Sequence, residues 1–169
     1  MSDASIRQYR MLARYNRLAN LRLYDACAAL PDAERKKTRP AFFKSIHGTL
    51  NHILVGDRIW MTRFTGGTVP STSLDAILYE GFGDLRQARR EADERIEAFA
   101  GSLSPAFLEG PIQYENNEGR MFDDAISMLL THFFTHQTHH RGQVHDLLTQ
   151  TCAPPPVLDL HRVLKPDPD

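Results

Sequence analysis

Ile126-Ser-Met-Leu-Leu-Thr-His-Phe-Phe-Thr-His-Gln-Thr-His-His-Arg-Gly-Gln-Val-His-Asp-Leu-Leu148 has apolar residues at Ile126, Leu129, Leu130, Phe133, Val144, Leu147 and Leu148. Steps of three and four without an internal proline are the stripe of an amphipathic helix. Asp123 or Asp124 is the expected N-cap, and Thr151-Cys-Ala-Pro-Pro-Pro156 forces an end near Gln150. The same helix holds five of the chain's eight histidines.

Three more stripes lie upstream. Ile6, Tyr9, Leu12, Ala13, Ala19, Leu23, Ala26, Cys27 and Leu30 predict a first helix over roughly 4–30, closed by Pro31. Ser45 is a suitable N-cap for a second over 46–65, which stops at Gly66-Gly67. Leu85, Ala88, Ala92, Ile96, Phe99 and Leu103 mark a third, with Arg89, Arg90, Glu91, Asp93 and Glu94 read as its solvated face. Between Pro111 and Phe122 the period changes to alternation around Asn116-Asn117-Glu118-Gly119, which predicts a short β-hairpin. The expected fold is therefore all-α, a four-helix bundle with a hairpin before the last helix, in one domain spanning 1–169 with an extended tail over about 151–169.

Composition narrows the function classes. The 169 residues carry a formal net charge of −1 and are 41% hydrophobic, so no general basic field attracts nucleic acid. Arg35-Lys36-Lys37-Thr38-Arg39, beside Pro31 and Pro40, reads as a solvated turn. No run approaches the ~18 apolar residues of a membrane span, and the opening lacks a signal-peptide core, which favours the cytoplasm. Cys27 and Cys152 form no Cys-x-x-Cys pair and read as free thiols. The Glu-x-x-His pattern of di-iron bundles, the zincin motif and nucleotide-binding fingerprints are missing.

Metal chemistry is what the histidines support. Residues four apart share a helix face with Cβ atoms roughly 5–6 Å apart, close enough for two imidazoles to close on one cation. His132 and His140 differ by about 80° and lie about 12 Å apart along the axis, so His136 must be in any usable pair. His136 with His140 is preferred, because His140 precedes Val144 and Leu148 on the inward stripe; His139 and His145 read as surface residues. From the second helix, His52 lies between the core residues Leu50 and Ile53, whereas His47 is expected in the first turn near solvent. Three histidines leave coordination positions open, as in catalytic sites.

Other residues are candidates for a pocket. Asn16 and Asn20 interrupt the apolar face of the first helix, either to bond between helices or to line a pocket. Trp60 is a core residue or a substrate platform. Arg141 could orient a carboxylate or pair with an acid on the first or second helix.

Tyr15-Asn16-Arg-Leu-Ala-Asn20, Phe43-Lys-Ser-Ile-His-Gly-Thr-Leu-Asn-His52-Ile-Leu and His132-Phe-Phe-Thr-His136-Gln-Thr-His-His140-Arg-Gly-Gln143 together resemble the DinB/YfiT-like family of metal-dependent bundle proteins. The resemblance implies an up-down-down-up bundle, usually a homodimer. It also implies nickel or zinc on three histidines, carried over as His52, His136 and His140; iron, cobalt or manganese suit the same donors. Some members of that family are S-transferases for low-molecular-weight thiols. A metal-dependent thiol transferase acting on a small electrophile is the leading expectation. The alternatives are a metal-dependent hydrolase and a non-enzymatic, dimeric metal- or small-ligand-binding protein.

Overall fold

The computed structural model describes residues 3–69, 71–116 and 118–165. Asn117 of the expected turn, and residues 166–169 of the expected tail, lie outside the described residues. The first stripe forms α1 (Asp3–Ala28), which stops two residues before the predicted end. A short α2 (Asp32–Lys36) follows Pro31 directly. Here the expectation of a solvated basic turn is corrected. Arg35 is buried and donates to the carbonyls of Leu30 and Cys27, the latter at 3.1 Å, answering carbonyls that the end of α1 leaves open. Arg39 is buried as well, paired with Glu34 and donating to the Glu34 carbonyl at 2.9 Å.

Ser45 opens α3 (Ile46–Phe64) as expected: its Oγ accepts from the Gly48 amide at 2.9 Å. The third stripe forms α4 (Phe82–Ser102). Ser104 then caps a short α5 (Pro105–Glu109), which carries its proline at the start of the helix, where the missing N–H costs nothing. The hairpin consists of β1 (Pro111–Glu115) and β2 (Met121–Ala125), antiparallel with Tyr114 opposite Phe122. Asn116 Oδ1 accepts from the amides of Glu118 and Arg120, both at 2.9 Å, and closes the turn.

The last long helix, α6 (Ile126–Leu148), is not capped by Asp123 or Asp124. Both belong to β2, opposite Gln113 and Ile112, and Ala125 occupies the cap position. The Ile126 amide bonds instead to the Gly110 carbonyl at 3.0 Å. Beyond it, the tail expected to be extended contains one short helix, α7 (Leu160–Leu164), which packs on Tyr15 and Ala19 of α1. Among the described residues, no helix is long and apolar enough to cross a membrane.

Side-chain pairs define the direction of each long helix. Arg10 bonds to the Gly101 carbonyl, Arg17 to Glu97 and Arg86 to Asp25, so α1 and α4 are antiparallel. Tyr9 reaches Ser127 and Arg141 reaches Asn16, which makes α1 and α6 parallel. Asp57 meets Arg89 and Phe64 stacks on Phe99, so α3 runs with α4. The bundle is up-down-down-up.

Two apolar clusters fill it. One gathers Ile6, Tyr9, Ala13, Met61, Phe64, Ile96 and Phe133; the other gathers Leu23, Leu50, Leu54, Leu85, Ala88, Val144 and Leu148. Between them, on all four helices, lies a buried polar belt. Asn16 and Asn20 donate to Asp93 Oδ1 at 3.1 and 2.9 Å. Arg89 pairs with Asp57 and, at 3.0 Å, with Asp93. Gln137 donates to Asp57 at 2.6 Å, and Arg141 to Asn16 and, at 3.1 Å, to Thr138. Arg89 and Asp93 are only 2% and 3% exposed, which corrects their assignment to the solvated face. Two carboxylates against two guanidiniums leave the belt neutral, the condition under which buried charge is tolerated.

Candidate metal centre

Helices α3 and α6 run antiparallel and bring His52 of one against His136 and His140 of the other. His52 Nε2 lies 3.1 Å from His140 Nε2, which lies 3.1 Å from His136 Nε2. Ligand atoms of all three residues fall within 4.8 Å of one another. Metal–nitrogen bonds of about 2.0–2.1 Å meeting at 90–110° put ligand nitrogens roughly 2.9–3.4 Å apart, and the two 3.1 Å spacings about His140 match that range. Among the described residues, no other group of three histidine, cysteine, aspartate or glutamate side chains is so placed.

For His52 and His140, the far side of the ring decides which nitrogen faces the centre. His52 Nδ1 is 2.7 Å from the Leu74 carbonyl oxygen, which can only accept, so Nδ1 carries the proton and Nε2 presents its lone pair. His140 Nδ1 is 2.8 Å from Gln143 Oε1, while the Gln143 amide nitrogen faces His139 Nε2 at 3.2 Å. Outer partners of this type orient metal-binding histidines and fix their tautomer.

Backbone choices make the room. A Cβ on Gly56 would come within 3.0 Å of His136 Cε1, so the ring occupies space that only glycine leaves free. Phe43 stacks on His52 with ring centroids 3.8 Å apart and meets His140 edge-on at 5.6 Å. The loop that carries it presses on the first turn of α3: a Cβ on Gly48 would lie 2.3 Å from the Phe43 carbonyl oxygen. Next to the histidines, the Gln137–Asp57 bond ties α6 to α3 and holds the register that aligns them.

Residues 1–168 match the DinB family. This chain belongs to the DinB family. It is also 28% identical over 160 residues to Protein DinB of Bacillus subtilis (strain 168), an alignment covering 89% of this chain and 87% of that protein. In this DinB-family chain the three histidines lie close enough together to hold a metal ion.

Burial sets their electrostatics. Desolvation pushes His136 down to about 3 and His140 to about 4, and mutual repulsion of the charged rings adds to the effect. His52 is also lowered by burial, against the pull of the Leu74 carbonyl. Neutral imidazoles are the form that binds metal.

The other candidates separate. His47, expected near solvent, is buried, with Nε2 2.8 Å from the Tyr79 carbonyl; Asn51 accepts from the Tyr79 amide at 3.0 Å, so the two clamp the loop before α4. His139 is exposed, and His145 meets the Pro156 carbonyl at 3.1 Å. Asn16, Asn20 and Arg141 belong to the polar belt and bond between helices. Trp60 walls a cavity of about 480 Å³ that opens beside His52 and His136 and is also lined by His132, Tyr114 and Phe122. Sequence reasoning misses Phe43, Gly56, Leu74 and Gln143 as parts of the site. The motif containing Gln143 lies one turn from His140, and that spacing is the signal that could have found it.

Proposed function

We propose that this protein is a metal-dependent enzyme holding one divalent cation, zinc or nickel foremost, on His52, His136 and His140, and that it transfers a low-molecular-weight thiol to a small electrophile. The convergence of three Nε2 atoms, two of them with Nδ1 tied to an acceptor, carries this reading. When bound, a divalent cation lowers the pKa of a coordinated thiol, which supplies a thiolate nucleophile near neutral pH.

The chain's own residues do the rest. Leu74 and Gln143 hold His52 and His140 in the tautomer that accepts a cation. Phe43 covers the His52 ring from one side and screens it from water. The electrophile would occupy the adjoining cavity against Trp60 and Tyr114. No cysteine is required of the protein: Cys27 is buried, with burial raising its thiol to about 12, and Cys152 is exposed and outside the site.

A hydrolase would need a base to take a proton from water. Among the described residues, Glu118 is the one carboxylate lining the cavity, and it forms an exposed ion pair with Arg120 at 3.6 Å. That arrangement favours thiol over water. The proposal includes a homodimer in the cytoplasm, and sedimentation of the purified protein tests the dimer. The decisive experiment is elemental analysis of the untagged protein together with thiol transfer by the parent and His136→Ala. Loss of both metal and transfer is expected; transfer retained by a metal-free variant ends the proposal.

A further inference from the structure

The cavity beside the three histidines has a charged end that the proposed chemistry leaves unused. Along α3, His52, Gly56, Trp60 and Arg63 follow at steps of four, four and three, so they share one face. Arg63 begins about 16 Å along the axis from His52. Its guanidinium lies 4.8 Å from the Trp60 ring centroid and 4.6 Å from that of Tyr114. Tyr114 stacks on Phe122 at 5.6 Å and meets Trp60 edge-on at 5.5 Å. Histidines, flat aromatic walls and a guanidinium thus line one cavity, with the histidines and the guanidinium set apart along α3.

Half-buried Arg63 lacks the carboxylate partner that the buried Arg35, Arg39 and Arg89 have. Its Nη2 donates to the Glu115 carbonyl at 2.8 Å, its Nε is buried with no acceptor, and no carboxylate pairs with it among the described residues. Burial lowers its basicity, as it does for a cation short of partners. The acid that lines the same cavity, Glu118, forms an exposed ion pair with Arg120 at 3.6 Å and none with Arg63. A guanidinium fork with unused donors is shaped for a carboxylate, and its aromatic floor suits a flat apolar body.

We propose that this cavity binds a small carboxylate with a planar apolar body, its anionic end on Arg63 and its other end reaching toward His52 and His136. Arg63 is then the residue that selects among substrates. The inference deepens the function proposed above, and only the end nearest the histidines rests on that reading.

Trp60 is the only tryptophan in the chain, so its emission reports on the cavity directly. The probes are 4-phenylbutanoate and its uncharged amide, titrated into zinc-treated protein, with bound zinc measured in the same samples. The acid should perturb Trp60 emission and bind about ten- to a hundredfold more tightly than the amide, the range of one charge-assisted hydrogen-bonded pair. Arg63→Gln should remove that preference without changing zinc content. Equal binding of acid and amide by the parent overturns the proposal, as does a preference that survives in Arg63→Gln. The parent comparison needs no variant to fold. A preference in protein that binds no zinc supports the anion site and removes the metal reading; zinc without a preference does the reverse.

Discussion

Gly56→Ala separates the stability of the helix from the geometry of the metal centre, because the two should move in opposite directions. Alanine in a helix interior is favoured over glycine by about 1 kcal/mol. In metal-free protein the His136 ring can swing into the adjoining cavity, so most of that gain should appear as a rise of about 2–4 °C in melting temperature. The metal-bound form has no such freedom. The new Cβ would lie 3.0 Å from His136 Cε1, against ordinary carbon contacts of about 3.5–4.0 Å, so the ring must give by a few tenths of an ångström. Coordination distances tolerate only about 0.2 Å. Zinc affinity should therefore fall about ten- to a hundredfold, the usual effect of disturbing a ligand's support. Competition with a chromophoric chelator reads the affinity, and calorimetry in excess chelator reads the metal-free melt. Zinc affinity within twofold of the parent would refute the placement of His136.

Three further outcomes are expected. Because His136 and His140 are depressed to about 3 and 4, protons should not displace zinc until the pH falls below about 5, whereas rings at the ordinary 6.5 would begin to lose it near neutrality. The same depression gives the metal-free protein a definite sign: the unfolded chain takes up these protons first, so stability falls as pH drops from about 6.5 toward 4, which denaturant titrations at several pH values check. Asp57→Ala leaves Gln137 without its buried acceptor and Arg89 with Asp93 as its one carboxylate, and should cost about 3–5 kcal/mol by urea unfolding. Ser45→Ala removes the cap on α3 and should cost about 1 kcal/mol in the same assay, with zinc stoichiometry unchanged.

The long helices are legible in the sequence because each writes an apolar stripe, and the hairpin because its alternation interrupts that period. Of the polar belt, the inter-helix bonds of Asn16 and Asn20 are among the readings the sequence offers, but the buried charges of α4 are not. Arg89 and Asp93 follow Leu85 at steps of four, within about 80° of it, so their phase points inward. Their charge argues for solvent, and only the acids and amides of other helices reverse that. His47 misleads in a similar way: a first-turn position suggests exposure, but the loop carrying Tyr79 folds over it. His52, His136 and His140 can be chosen by phase, since a metal centre needs inward imidazoles at helical spacing. Leu74 contributes through its carbonyl, which no side-chain pattern records, and Gly56 through a missing atom. Asp123 and Asp124 look like caps until the strand claims them.

The belt also bears on whether this chain could be divided. Cutting it in the connection between α3 and α4 would strand Asp57 in the first piece and leave Arg89 and Arg141 facing a single aspartate in the second. Each piece would carry an unbalanced charge in what should be its interior, so neither is an autonomous folding unit. Mixed, the two supply what the other lacks, and reassembly from fragments is the behaviour this wiring demands.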